Sequence, residues 1–406
     1  MGERETAGFA DDTIGRRIAY ARKLRGLTQQ QLADRVPCSK SLISQVEGGH
    51  KPATRSLTGA VARALHVEVT ELTGQPYRGR TAATDRIHAT IPDIREALVY
   101  WDVTPGRDVP PRPLDELRRE VDRCTRLRQG ARYVELGTAL PSLIKELITH
   151  VHTMGGEDRS TAFHLLTTAY SAADSMAYKL GYLDLFHIAV ERLAWAAGHT
   201  DDPLLPHVAR MRRSMAFVAS GAYDGGLRLL DDVRAALESD RSDSPTLSVR
   251  GTVHLRAAVL AAQTNRATLA WDHMSAAHEL ATRVRVDTKD YDLLFGPTNA
   301  AIHDVAVAVE LGDADEAIRR GAGLRLPASL AAERSSHHYI DLSRAWLWAG
   351  RWDQALQSLL TAERLAAQRT RYHPMARETV TRLLDVRRRL SPQLRLLARR
   401  MGGFAA

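Results

Sequence analysis

Thr28-Gln29-Gln30-Gln31-Leu32-Ala33-Asp34-Arg35, followed after three residues by Ser39-Lys40-Ser41-Leu42-Ile43-Ser44-Gln45-Val46-Glu47-Gly48-Gly49, reads as a helix, a tight turn and a second helix that stops on glycine. Thr28 is a good N-cap, and Gln31 three residues on has the spacing of a capping box. Leu32, Ala33 and Val36 share one helical face, and Ala33 is small, as a close helix crossing requires. Ser39 is a second N-cap. Ile43 and Val46 turn inward, which leaves Lys40, Ser41, Ser44 and Gln45 on the opposite face. Gly49 stands where a left-handed residue closes a helix, and Pro52 keeps the helix from resuming.

A helix is expected before this pair. Ile14, Ile18, Ala21 and Leu24 repeat every three to four residues, with Arg16, Arg17, Arg22, Lys23 and Arg25 between them. Another follows, capped by Thr54, with Leu57, Val61, Ala64 and Leu65 as its apolar stripe, and a short one near Val69 to Leu72 completes five.

On these residues the segment 13–74 resembles the XRE family, the lambda-repressor/Cro type of helix-turn-helix. The resemblance rests on Leu27-Thr28-Gln29, Leu32-Ala33, Ser39, Ile43-Ser44, Val46-Glu47, Gly49, Pro52 and Leu65. It implies that the second helix lies in the DNA major groove. By the same resemblance Lys40, Ser41, Ser44 and Gln45 face the bases, Gln29 touches the phosphate backbone, and Arg22 pairs internally with Glu47. Arg17 and Lys51 complete the expected DNA-contacting set. Lysine donates to guanine O6 or N7, glutamine matches the N6/N7 edge of adenine, and serines suit phosphate oxygens. One position departs from the family: Pro37 occupies the place of the usual turn glycine and cannot take a positive φ. The turn must therefore adopt another geometry or shift by one residue.

The chain has 406 residues and a formal net charge of +8. Residues 1–80 carry 13 Lys/Arg against 8 Asp/Glu, a local excess that suits contact with phosphate. The two cysteines, Cys38 and Cys124, are far apart and form neither a disulfide framework nor a zinc spacing. No apolar run follows a basic N-terminus, and no apolar run reaches the length of a membrane span, so a cytoplasmic protein is expected. Ala, Leu and Arg dominate and β-branched runs are rare, which predicts an all-α chain.

Gly74 to Arg80 is a polar break. A short helix with Pro92 at its start carries Ile94, Ala97, Leu98 and Trp101. Thr104 to Pro113 then holds four prolines in ten residues, an extended linker. Beyond Pro113 a loose repeat emerges. Its clearest copy is Tyr339, Leu342, Ser343, Trp346, Gly350, Trp352, Ala355, Leu359 and Ala362, the large, small and aromatic pattern of a tetratricopeptide (TPR) repeat. Weaker copies place equivalent turns before Tyr133, Leu183, Tyr223, Ala267 and Ala314. Their spacings of 50, 40, 44, 47 and 38 residues exceed the ~34 of a standard repeat, so longer helices or an irregular α-solenoid are expected. The count is six helix pairs, with a capping pair opened by Pro374 and Pro392.

The expected organisation is a five-helix DNA-binding domain at 13–74, a linker with a short helix at 75–112, and a TPR-like solenoid at 113–401. In such a stack the first helix of each pair lines a concave face. Asn299, His303, His337, Asp341, Arg344 and Trp348 are candidates for an effector groove there, since such side chains hold a peptide backbone or a terminal carboxylate. The sixteen histidines show no metal spacing: His337-His338 diverge by about 100° on a helix, and no HExxH occurs. No GxxxxGK[ST] or GxSxG is present, so no enzyme and no cofactor are expected. The layout resembles one-component transcription regulators with TPR tails, including the peptide-pheromone-responsive type and the actinobacterial type. That resemblance implies a homodimer on a palindromic operator in double-stranded DNA. It also implies a peptide or small-molecule effector or, in the alternative, a protein partner recruited by the solenoid without an effector.

Overall fold

The structure is a computed structural model that describes residues 13–78, 85–106, 110–237, 243–386 and 391–402. Residues 79–84 and 107–109, which belong to the expected linker, lie outside the described residues. No strand occurs among the described residues.

The head consists of α1 (Ile14–Leu24), α2 (Gln29–Ala33), α3 (Lys40–Glu47), α4 (Arg55–Leu65) and α5 (Val69–Thr73). The caps do what their residue types allow. Thr13, Thr28, Ser39 and Thr54 each accept a backbone N–H from the first turn of α1, α2, α3 and α4, and Thr28 and Gln31 form a reciprocal capping box. Ile18, Leu32, Ile43, Val61 and Leu65 are fully enclosed between these helices.

The turn at Pro37 is resolved by geometry rather than by register. No residue between Asp34 and Cys38 has a positive φ. Instead, the Cys38 N–H donates to the Val36 carbonyl at 2.7 Å, closing a three-residue turn around Pro37. That turn wants φ near −75° at its centre, close to the value the proline ring imposes.

After α6 (Ile91–Val99), helices alternate as pairs: α7 (Leu114–Gln129) and α8 (Tyr133–Thr153), α9 (Gly156–Leu180) and α10 (Leu183–Ala197), α11 (Leu205–Ala219) and α12 (Tyr223–Ala236), α13 (Ser244–Gln263) and α14 (Ala267–Val284), α15 (Pro297–Glu310) and α16 (Ala314–Gly321), α17 (Ala332–Trp348) and α18 (Trp352–Leu365). A short α19 (Ala367–Arg371) leads to α20 (Pro374–Val386) and α21 (Pro392–Arg400).

All six pairs turn in the same way. A left-handed residue (Ala131, Gly181, Gly221, Asn265, Gly312 or Gly350) stands two positions before the second helix. The next N–H reaches back to a carbonyl near the end of the first helix, as in Arg132 to Leu127 at 2.8 Å and Arg351 to Trp346 at 2.8 Å. This is the Schellman closure, which satisfies carbonyls the helix end would leave bare.

The stack closes on itself. The side-chain carbonyl of Gln368, on α19, accepts from the Tyr133 and Val134 N–H groups at 2.6 and 3.1 Å, so the first and last pairs touch. α6 is part of the body: Ile87, Ile91, Ile94, Ala97 and Leu98 are buried in one apolar core with α7 to α10. The head is joined to the body as well, because its core is continuous with Ile340, Leu359, Val380 and Leu383 of the last helices.

Candidate nucleic-acid interface and interdomain cavity

α3 presents two faces. Ile43 and Val46 are buried against the head, while Lys40, Ser41 and Ser44 are exposed and Gln45 is half-buried. Gln45 Nε2 lies 3.5 Å from Ser41 Oγ, too long to hold either side chain in place. Behind this face Arg22 donates to both Glu47 carboxylate oxygens, at 2.6 and 2.8 Å, and to the Leu27 carbonyl at 2.6 Å. The side chains are 9% and 5% exposed, so the pair is internal. Gln29 Nε2 donates to the same Glu47 at 2.9 Å, which orients Gln29 at the start of α2. Lys51 has an exposed side chain just past α3.

Arg17, expected among the DNA contacts, lies in the seam between head and body. Its guanidinium packs against Gly74 and shares a small crevice with Tyr77, Arg377 and Glu378. α1 directs it there because Arg17 lies beside Ile14 and Ile18 on the stripe that meets α20. Burial lowers its pKa, opposed by Tyr77 and Glu378. It is therefore a seam residue rather than a DNA contact.

The seam is polar and specific. Glu378 Oε2 accepts from the Ile14 N–H at 3.3 Å. Arg382 donates to the Gly49 carbonyl and, at 3.2 Å, to the Lys51 carbonyl, which ties the segment just after α3 to α20. The Arg377 guanidinium stacks 4.2 Å from the Tyr77 ring centroid. On the other side of the head Tyr223 Oη donates to the Arg55 carbonyl at 3.1 Å, and Arg55 Nη2 meets His373 Nε2 at 3.1 Å. A guanidinium can only donate, so His373 accepts there and is neutral. Burial and the surrounding Arg369, Arg55, His337 and Arg344 all hold its pKa well below the usual histidine value.

Head and body together line a cavity of about 330 Å³. Its walls come from the first helices of the pairs, α9, α11, α13, α15 and α17, and from the head through Arg55, Thr58, Thr70, Thr73 and Gln75. Asn299, His303, His337 and Asp341 are brought together on this lining. Arg344 and Trp348 are not on it. Arg344 is buried behind Asp341, donating to Glu310 at 2.9 Å and to Asp341 at 3.3 Å, and it stacks 5.3 Å from the Trp348 ring centroid. Burial raises the Asp341 pKa, against Arg344 and Arg55.

Sequence reasoning missed the charged floor. Glu333 Oε1 lies 2.6 Å from Lys179 Nζ and 3.8 Å from Arg369 Nε, and its other oxygen lies 3.5 Å from Arg128. Burial would raise the Glu333 pKa, yet Lys179, Arg369 and Arg128 hold it well below the carboxylate range. Asp174 accepts two bonds from Arg212, at 2.6 and 2.8 Å. One signal was available: Asp174 and Arg256 interrupt alanine-rich runs at positions where a packed helix wants a small or apolar residue.

Residues 13–73 match the family described as a helix-turn-helix domain. The head belongs to the helix-turn-helix family. Over this region and somewhat beyond, the chain is similar to curated repressors and regulators. It is 38% identical over 111 residues to an immunity repressor protein of Bacillus phage phi105, covering 27% of this chain and 66% of that one. It is 39% identical over 59 residues to a competence pilus inhibition repressor of Acinetobacter baylyi, covering 14% and 54%. It is 33% identical over 98 residues to a propionyl-CoA carboxylase regulator of Cereibacter sphaeroides, covering 23% and 19%. The chain thus spans between a fifth and two thirds of the length of these relatives. Among solved structures, PlcR of Bacillus thuringiensis, in complex with the peptide PapR7 and DNA, aligns over 86% of this chain and 99% of its own, at 16% identity and a TM-score of 0.37.

Proposed function

We propose that the chain is a sequence-specific DNA-binding transcriptional regulator whose helical body governs the placement of its head. One observation carries the reading. A helix-turn-helix head presents Lys40, Ser41 and Ser44 outward from α3, with the helix held from behind by the Arg22–Glu47 pair. These are residue types that contact base edges and phosphates. The functional division keeps 13–74 for DNA and 113–401 as body, with α6 of the expected 75–112 linker packed into the body. No helix among the described residues is long and apolar enough to cross a membrane.

In this reading the protein acts as a homodimer. A single head reads few base pairs, whereas two heads match half-sites ~34–36 Å apart. The body senses an effector in the interdomain cavity. Because Arg55, Thr58, Thr70, Thr73 and Gln75 form part of that wall, an occupant that binds the docked and undocked arrangements differently shifts their populations. The contribution of head residues to the cavity wall supports a ligand sensor over a scaffold without an effector.

Selection of binding sites from random duplex DNA by the full chain tests the reading. Enrichment of a two-fold symmetric sequence is expected. Recovery of unenriched DNA, with binding set by salt alone, would remove the claim of sequence-specific regulation.

A further inference from the structure

The charges around the cavity do not balance. Seven lysines and arginines and five carboxylates line it. Every carboxylate is engaged: Asp174 with Arg212, Asp292 with Arg128, Glu333 with Lys179, Arg128 and Arg369, and Glu310 and Asp341 with Arg344. Arg256 on α13 and Arg334 on α17 are left over, and neither side chain makes a hydrogen bond or ion pair among the described residues. Arg256 Nε is itself shut off from solvent with no protein partner. The carboxylates that act on them, Asp174 on Arg256 and Glu333 on Arg334, are already paired with Arg212 and Lys179, and a guanidinium cannot shed its proton, so the cavity holds an excess of positive charge that an anion would neutralise.

His303, on α15, shares the lining with both arginines. Burial and then Arg334 push its pKa down to about 3, with Arg256 acting in the same direction. Its Nδ1 donates to the Asn299 carbonyl at 2.8 Å, which leaves Nε2 for another contact. Gln263 Nε2 and Oε1 and Asn299 Oδ1 are buried without protein partners on the same lining. Apolar side chains share the lining, among them Met215 and Val218 of α11 and Leu255 and Val259 of α13. The volume of about 330 Å³ is in the range of small-molecule sites.

We propose that the cavity binds a small anionic ligand with an apolar portion, whose carboxylate or phosphate is held between Arg256 and Arg334 beside Gln263 and Asn299. This rests on the sensor reading above and names the chemistry of its ligand. The apolar portion lies against Met215, Val218, Leu255 and Val259.

Calorimetry and thermal unfolding of the full chain with hexanoate, hexyl phosphate, inorganic phosphate and hexylamine test it. Hexanoate or hexyl phosphate binds and raises Tm, the tighter of the two marking the headgroup; hexylamine does neither. Arg256→Gln and Arg334→Gln each weaken the anion by on the order of tenfold, as expected for loss of a charge-assisted hydrogen bond. Ligand-free Arg256→Gln unfolds at or above the parent temperature, because an uncompensated cation has been removed. Equal binding of hexylamine, anion binding unchanged in the double variant, or a ligand-free Tm several degrees lower in Arg256→Gln would overturn the site. Affinity for the selected DNA is read in parallel. Anion binding that leaves it unchanged upholds the site and removes the sensor reading; intact DNA binding with no anion bound removes the site alone.

Discussion

Tyr223, the first residue of α12, donates its hydroxyl to the Arg55 carbonyl at the start of α4 at 3.1 Å, across 168 residues of chain. Gly59, one turn further along α4, lies against the same ring: a Cβ there would overlap Tyr223 Oη. The head is seated by a glycine that admits a tyrosine.

Gly59→Ala is therefore expected to unseat the head. Overpacking at such a contact costs about 1–3 kcal/mol, while an alanine inside α4 favours the helix itself. The variant should keep a folded head and show faster hydrogen exchange on α4 and α12 together with a larger radius of gyration. Unchanged exchange at both helices would show that the contact does not hold the head.

The internal pair behind the reading helix gives a second expectation. Glu47 accepts from Arg22 and Gln29 and is nearly enclosed. Glu47→Ala leaves the Arg22 charge uncompensated, and breaking one side of a buried pair costs about 3–5 kcal/mol. DNA affinity should fall on all sequences alike, with loss of head helicity by circular dichroism. A variant of parental stability would contradict the assignment.

Base readout separates from backbone contact by variant. Lys40→Ala and Gln45→Ala should each lose about 1–3 kcal/mol on the selected site and relax preference there, and Gln29→Ala should weaken all sequences similarly. Equal losses on selected and random duplexes for Lys40→Ala would refute its role in reading bases.

Stability should fall on acidification below about 6.5, the ordinary histidine value. His373 is buried and His337 and His303 are half-buried, each has arginines around it, and each has its folded pKa pushed down, the last to about 3. The unfolded chain then takes up protons that the folded chain cannot, so stability is full above that pH and declines below it. His373 faces Arg55 of the head, with Arg369, His337 and Arg344 around it. Thermal unfolding between pH 7.5 and about 5 should show the decline, and His373→Gln should reduce its slope. A flat profile in the parent protein would be inconsistent with neutral histidines at these positions.

Ala131 adopts the left-handed conformation that glycine takes at four of the six pair turns. Ala131→Gly should relieve about 1–2 kcal/mol of backbone strain and raise Tm. A lower Tm would mean that packing of the Ala131 methyl outweighs that strain.

Much of the scaffold was legible. Tyr133, Leu183, Tyr223, Ala267, Ala314 and Trp352, picked out as turn positions, are each the first residue of a second helix. Local chemistry explains this, since a helix end needs a left-handed residue and closing N–H groups within a few positions of each other. The four cap residues of α1 to α4 act over the same short range. The charged cavity was not legible. Asp174 meets Arg212 only across the packing of neighbouring pairs, and Arg128 meets Glu333 only once the ends of the stack touch. Arg17 misled for a related reason: beside Arg16, Arg22, Lys23 and Arg25 it read as one of a basic group, and nothing local shows that α20 covers it.

From sequence alone came the all-α class, the helix-turn-helix head, the outward face of α3 and the repeating pair, because caps, apolar periodicity and left-handed turns act within one or two helical turns of chain. Tertiary structure alone decided that the head shares a core with the final helices, that Arg382 holds the carbonyls just after α3, and that two arginines stand without a carboxylate of their own in the space between head and body. Those relations depend on how far six long pairs curve before they close, and that curvature is the sum of many small packing angles spread over the whole chain.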